Sequence, residues 1–199
     1  MKYKDGAVTD EGDYCECRDG FCSKEWDDNA GASLSWQHYE RAHWSVQYKL
    51  CRPLFQGKPD CQGSELGAQV ETAVAEWAPD VTLPRCVCPN NALYRITGWK
   101  RTGKGAIWEY YYTCEKKECL SPSSNQPGEK VECARIYVDT GKKTDKVLEM
   151  QFKCSCPESY LCPAKYNEKE DDSRLESDED KRSYVPKECE AIVKRKRSS

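Results

Sequence analysis

Three times the chain places two cysteines one residue apart: Cys15 and Cys17, Cys86 and Cys88, Cys154 and Cys156. That spacing suits neither a helix nor an ordinary core strand. Thiols that share one zinc ion or one exchange partner usually stand as Cys-x-x-Cys, which occurs nowhere here. The expectation is that the two sulfurs of each Cys-x-Cys leave a strand on opposite sides and reach different partners, so that each pair is a junction where a strand is tied twice. Cys22, Cys51, Cys61, Cys114, Cys119, Cys133, Cys162 and Cys189 supply the partners and bring the total to 14, an even number. All 14 are read as disulfide cysteines, with no metal site and no cofactor.

Cross-links matter because little else can hold the chain. Its 199 residues include only 3 Phe and 2 Met, while 33% are charged, which leaves little aliphatic material for a core. Disulfides in this number imply an oxidising compartment, so the protein is read as secreted and extracellular. No apolar leader follows Met1, and residues 1–14 are read as an N-terminal extension of a chain whose signal peptide has been removed. No run of 18 apolar residues offers a membrane span. A net charge of −3 gives no reason to expect nucleic acid as a partner. There is no Asn-x-Ser/Thr site for N-glycosylation.

Reading from each junction divides the chain into three tandem Cys-x-Cys units, 15–85, 86–153 and 154–199, built of β-hairpins with at most one short helix. The expected fold class is therefore small, disulfide-rich and mainly β. Unit two has Leu93 and Tyr94 where a third cysteine is due, and it carries Cys119 as an extra. If all 14 are oxidised, five cysteines in each of the first two units send an odd number of bridges out of each, and the expectation is an odd number between them. The stretch ALYRITGWKRTGKGAIWEYYYTC alternates on both sides of a Gly-Lys-Gly turn and predicts a hairpin, and VECARIYVDTGKKTDKVLEMQFKC predicts another that turns over Asp139 to Lys143. Between Leu66 and Trp77 helix and strand both remain open: Leu66, Val70, Val74 and Trp77 form a helical stripe, with Ser64 as a cap. Residues 167–183 are acidic and nearly devoid of apolar side chains, which predicts a mobile loop, and 194–199 form a basic tail.

Catalysis finds little support in the residues. Neither Gly-x-Ser-x-Gly nor His-Glu-x-x-His occurs, and the two histidines, His38 and His43, are spaced poorly for sharing an ion. The acidic loop lacks the alternating acidic positions and fixed glycine of a dedicated calcium loop. The first hairpin is more informative. Trp99, Trp108, Tyr110 and Tyr112, rimmed by Lys100, Arg101 and Lys104, form a candidate protein-binding face, since aromatic rings dominate binding hot spots. The bland alternative is that these rings are core. Lys142, Lys143 and Lys146 give the second hairpin a basic tip as well.

The junctions CVCPNN and CSCPESYLC, followed by long hairpin segments, resemble the large cysteine-rich secreted proteins of arthropod venom and saliva, in particular one of the larger scoloptoxin families of centipede venoms. The likeness covers residues 14 to 163. It implies a venom component with no assigned target and carries over no site residue. The missing third cysteine of unit two and the acidic loop depart from it. The resulting expectation is a non-enzymatic binding protein acting on a protein target such as a receptor, channel or protease. Alternatives are a protease inhibitor, with Arg52 to Cys61 as its loop, and a structural protein of silk, cuticle or matrix.

Overall fold

The computed structural model describes residues 2–4, 7–10, 12, 16–26, 30–37, 44–73, 80–102, 107–115, 117–119, 131–144, 146–157 and 160–191. Cys15, His38, His43, Lys104 and the basic tail lie outside the described residues. The fold is mainly β, with one short α-helix. It divides into two compact units, Met1–Glu115 and Lys116–Ser199.

In the first unit, β1 (Lys2–Lys4), β2 (Ala7–Thr9), β3 (Ser33–Gln37), β4 (Trp44–Lys49), β5 (Leu66–Thr72), β6 (Val81–Pro84), β7 (Tyr94–Thr102) and β8 (Ile107–Thr113) form a sheet in the order β6-β5-β8-β7-β3-β4-β1-β2. Neighbours run antiparallel except β3 and β7, where Trp36 lies opposite Tyr94 in a parallel pair. The region left open as helix or strand is strand as far as Thr72. Buried Ala68, Val70 and Thr72 alternate with half-exposed Gln69 and Glu71, a period of two. Residues 74–79, with Val74 and Trp77, lie outside the described part.

The second unit holds β9 (Glu132–Val138), β10 (Val147–Phe152), β11 (Tyr160–Leu161), α1 (Glu168–Asp171), β12 (Glu176–Ser177), β13 (Ser183–Glu188) and β14 (Glu190–Ala191). Here the order β10-β9-β13-β12 matches β6-β5-β8-β7. The predicted turn between β9 and β10 forms because Asp139 Oδ1 accepts from the Gly141 N–H at 3.0 Å, a local bond that mimics a backbone turn.

Six disulfides join described residues: Cys17–Cys51, Cys61–Cys86, Cys88–Cys114, Cys119–Cys154, Cys133–Cys162 and Cys156–Cys189. Among them, Cys61–Cys86 is the one bridge between the first two cysteine frames of the sequence. It crosses the frame edge at 85/86, and Cys119–Cys154 and Cys133–Cys162 cross the edge at 153/154.

Both described junctions are indeed tied twice. Cys86 reaches back to Cys61 and Cys88 forward to Cys114; Cys154 reaches back to Cys119 and Cys156 forward to Cys189. The expectation of opposite sides is corrected, however. The sulfurs of Cys61, Cys88 and Cys114 all lie within 4.8 Å of one another, as do those of Cys119, Cys156 and Cys189, so the two bridges of each junction lie side by side. Positions i and i+2 of an extended strand share a face, and one face is what both sulfurs use.

Backbone hydrogen bonds at the two junctions coincide residue for residue. The Cys61 N–H donates to Val87 O (2.8 Å), Val87 N–H to Pro59 O (2.9 Å) and Arg85 N–H to Gly67 O (2.8 Å). In the second unit the Cys119 N–H donates to Ser155 O (2.9 Å), Ser155 N–H to Lys117 O (2.8 Å) and Lys153 N–H to Cys133 O (2.8 Å). Gly67 and Cys133 thereby hold equivalent places. Each is skipped in the register with the next strand, between Leu66 and Ala68 on β5 and between Glu132 and Ala134 on β9.

That equivalence explains the missing cysteine. Cys133 is bridged to Cys162, six residues past Cys156; six residues past Cys88 stands Tyr94. Its buried ring lies over Gly67, its hydroxyl donates to Cys86 O at 2.7 Å, and Phe55 packs on it with centroids 5.7 Å apart. A Cβ at position 67 would stand 2.7 Å from Tyr94 Cε1 and 3.2 Å from Cys61 Sγ. Neither neighbour can yield, because the hydroxyl bond and the disulfide fix both. Gly67→Ala is therefore expected to destabilise the protein by about 1–3 kcal/mol, read as a lowered melting temperature under oxidising conditions.

Residues 167–183 correct a second expectation. They carry α1, a 3-10 turn at Asp172–Arg174 and β12, and Asp171 is only 2% exposed. Lys187 explains this. Its row, Lys187–Ala134–Phe152 across β13, β9 and β10, corresponds to Tyr112–Ala68–Pro84 across β8, β5 and β6. Tyr112 packs on Trp36, 5.7 Å between centroids, whereas Lys187 is a cation in a core position. Asp171 neutralises it through both carboxylate oxygens, at 2.8 and 2.7 Å, and also accepts from the Asn167 N–H at 2.6 Å. Removing one partner strands the other charge without water. Asp171→Ala is expected to cost about 3–5 kcal/mol in chemical denaturation, against a change near zero for the exposed Glu179→Ala.

Candidate functional site

The candidate face lies on β7 and β8, whose Ile, Tyr, Trp and Thr content favours extended pairing. Trp99 stands opposite Tyr110, Arg101 opposite Trp108 and Ile96 opposite Tyr112, so these side chains share one face of the hairpin. The face is not uniform. Toward Thr113 it is core: Tyr112 is 1% exposed and Tyr110 6%, and Tyr112 packs on Trp36. Tyr110 and Tyr112 are therefore removed from the candidate binding surface. Toward the turn, Trp99 and Trp108 are half-buried, packed at a tilt of 53° with centroids 4.7 Å apart, and the Arg101 guanidinium lies 5.0 Å over the Trp108 ring.

Lys100 belongs to the opposite face. Its ammonium pairs with Glu109 at 3.2 Å and lies 5.6 Å from the Tyr111 ring, while the Tyr111 hydroxyl donates to Glu109 Oε2 at 2.5 Å. Partial burial alone would raise the Glu109 carboxyl, but bonds from Tyr111 and Lys100 outweigh it and hold the group below its ordinary value. Contact with Tyr111 and Glu109 raises Lys100 in turn. Of the predicted basic rim, Arg101 is described beside the tryptophans, Lys100 is turned away and paired, and Lys104 lies outside the described residues.

The second basic tip is largely neutralised within its own unit. Lys146 pairs with Glu168 at 2.6 Å and Asp172 at 3.2 Å, contacts that raise its pKa, and Lys142 lies 3.9 Å from Asp139. One cluster was not foreseen from the sequence. On the face of the second sheet opposite Ile136 and Val185, Arg135 lies 4.3 Å over the Tyr184 ring and Arg182 lies 4.2 Å over Tyr137, with the two rings 5.6 Å apart. Glu132 pairs with Arg135, and Asp178 and Glu149 with Arg182. Alternation within IYV and SYV hinted at it, but the meeting of β9 and β13 is a long-range pairing that no local pattern reveals.

The inhibitor loop reading meets a different geometry. Cys51 and Cys61 anchor the ends of the segment through Cys17 and Cys86. Between them, Leu54 N–H donates to Arg52 O, Gln56 N–H to Pro53 O and Lys58 N–H to Phe55 O, and the Phe55 ring is buried. Arg52 to Lys58 thus run through consecutive turns, and Asp60 bridges Val87 before Cys61.

Comparison with known proteins adds a relative. No family model matches the chain. The chain is similar to a centipede toxin. It is 27% identical over 165 residues to U-scoloptoxin(11)-Sa3a of Scolopendra alternans, an alignment that takes in 77% of this chain and 62% of that protein. The resemblance expected from cysteine spacing thus meets a scoloptoxin, and the chain spans less than two thirds of its length. A crystal structure of unliganded Argos aligns with 89% of this chain and 81% of that chain at 20% identity, with a TM-score of 0.36, too low to argue a shared fold. No helix among the described residues is long and apolar enough to cross a membrane.

Burial makes the core assignment of the tyrosines testable. It raises Tyr110 to about 12 and Tyr94 to about 12, and it pushes Tyr112 well above its ordinary value. In the unfolded chain these phenols ionise near about 10, so above that pH the unfolded state loses protons that the native state keeps. Stability is expected to fall as pH rises from about 10 toward 12. Absorbance titration of the phenolates beside melting curves checks this. Tyr112→Phe, which cannot ionise, should flatten the alkaline decline.

Proposed function

We propose that this protein is a secreted, disulfide-stapled, venom-toxin-like effector that acts by binding a protein target without catalysis. One observation carries the reading: a chain with six described disulfides is similar over 77% of its length to a centipede toxin. Disulfides suit the oxidising space into which such proteins are released. The absence of catalysis is argued from the sequence, which has two histidines and neither of the hydrolase motifs sought. Binding is assigned to the Trp99–Trp108–Arg101 end of the hairpin. Tryptophans packed against each other that remain partly open, beside a guanidinium, have the composition of an interface anchor.

The test is injection of the oxidised protein into insects, with reduced and alkylated protein as control. Paralysis or death from the oxidised form alone is the expected outcome, and an inert oxidised protein would remove the reading. Trp99→Ala then separates surface from core. As a binding anchor it should reduce potency by roughly tenfold or more with the melt little changed, since hot-spot truncations cost about 2 kcal/mol or above. A lowered melting temperature with potency kept per folded molecule would return the pair to the core.

A further inference from the structure

Phe21 is the most exposed large apolar side chain among the described residues. Its relative exposure is 90%, whereas Val8, Leu54, Val81, Leu83, Ile107, Leu148, Tyr160 and Leu175 lie between 36% and 43%. Of the other phenylalanines, Phe55 is buried and Phe152 half-buried. In a chain this short of apolar residues, leaving a whole phenyl ring in water is a cost that folding does not recover.

The ring sits on a constrained loop. Cys17 is tied to Cys51, and the sulfur of Cys22 lies 3.3 Å from that of Cys17, so the ends of Cys17-Arg18-Asp19-Gly20-Phe21-Cys22 lie close together. Gly20 turns the chain just before the ring, with φ of +94°, and a Cβ there would meet nothing within 4 Å. Glycine is required for the turn, not for space. A loop pre-shaped in this way loses little freedom on binding.

We propose that the loop from Cys17 to Cys22 is a contact loop that delivers the Phe21 ring into an apolar pocket on a partner protein. The inference rests on the binding reading above but uses residues outside the tryptophan pair. A lipid surface is disfavoured by charge. Glu16, Asp19 and Glu25 are exposed in the same segment as the ring, with Arg18, and Lys24 pairs with Asp10 at 3.3 Å, so the segment lacks the basic excess that draws a chain to anionic headgroups. One ring without such help is also a thin membrane anchor. Arg18 and Asp19 instead offer a polar rim to a protein pocket.

The experiment uses the full oxidised chain in the insect assay, with Phe21→Ala and Phe21→Trp. The ring touches little of its own protein, so both variants should keep the wild-type melt. Phe21→Ala should lower potency by roughly tenfold or more, and Phe21→Trp should retain most of it. Equal potency of wild type and Phe21→Ala would overturn the inference while leaving the binding reading intact; an inert wild type would overturn both. Sedimentation with phosphatidylcholine vesicles, with and without phosphatidylserine, covers the lipid alternative: Phe21-dependent binding there would overturn the protein pocket. Sedimentation velocity covers self-association, and a dimer lost in Phe21→Ala would overturn it equally.

Discussion

The fold depends on a crossing one residue wide. At each described Cys-x-Cys, the middle residue forms a parallel bridge to the residue before an upstream cysteine, Val87 to Asp60 and Ser155 to Glu118. Two backbone bonds would not hold such a bridge in water, because each is worth only about 1 kcal/mol net. The flanking disulfides hold it, one running back and one forward. From that clamp the sheet on each unit follows. The backward bridge closes the hairpin that ends at the junction, and the forward bridge fixes the end of the strand that pairs with its other side. A third hairpin, β3 with β4, is closed in the same manner by Cys17–Cys51, with Leu50 N–H donating to Ala32 O where Arg85 and Lys153 donate to Gly67 and Cys133.

With strand positions fixed by sulfur and backbone, the rows of side chains between them are free to differ in chemistry. The row Tyr110–Val70–Thr82 in one unit corresponds to Val185–Ile136–Met150 in the other. The next row exchanges a tyrosine packed on tryptophan for a lysine paired with aspartate. Beside it, a glycine under a tyrosine ring replaces a disulfide. These are three solutions to one geometric demand, filling the space between a bulged central strand and its neighbours. The ionic solution brings a dependency that the aromatic one does not: it recruits α1, and so gives order to a segment whose composition offers no hydrophobic reason for it.

Much of this was legible in the residues. Cysteine spacing implied a cross-linked β-protein and the double tying of the two described junctions, and alternation located the two hairpins and the Asp139 turn. What failed did so where a tertiary partner outweighed a local pattern. Leu66 and Val70 fit a helical stripe, but Ala68, Val70 and Thr72 also fit a strand, and pairing with β6 and β8 decides for the strand. The acidic segment reads as unstructured because Leu175 is its one apolar residue, and Asp171 is buried as a charge. Tyr110 and Tyr112 were placed with the tryptophans correctly as to face and wrongly as to depth. Depth along a hairpin depends on what covers it, and Trp36 is far away in sequence.

A stapled framework also changes what the surface can tolerate. In a fold held by a hydrophobic core, an aromatic ring left in water is usually selected against, because the same ring stabilises more when buried. Here six disulfides among the described residues add stability by closing loops in the unfolded chain, a contribution indifferent to which residues decorate the outside. Trp99 and Trp108 beside Arg101, and Phe21 on its cystine-bound loop, can therefore be spent on contact with another molecule at little cost to the fold. Exposed rings in such a chain report on recognition more directly than they would in a core-built protein, and the strongest report comes from the ring most exposed among the described residues, Phe21.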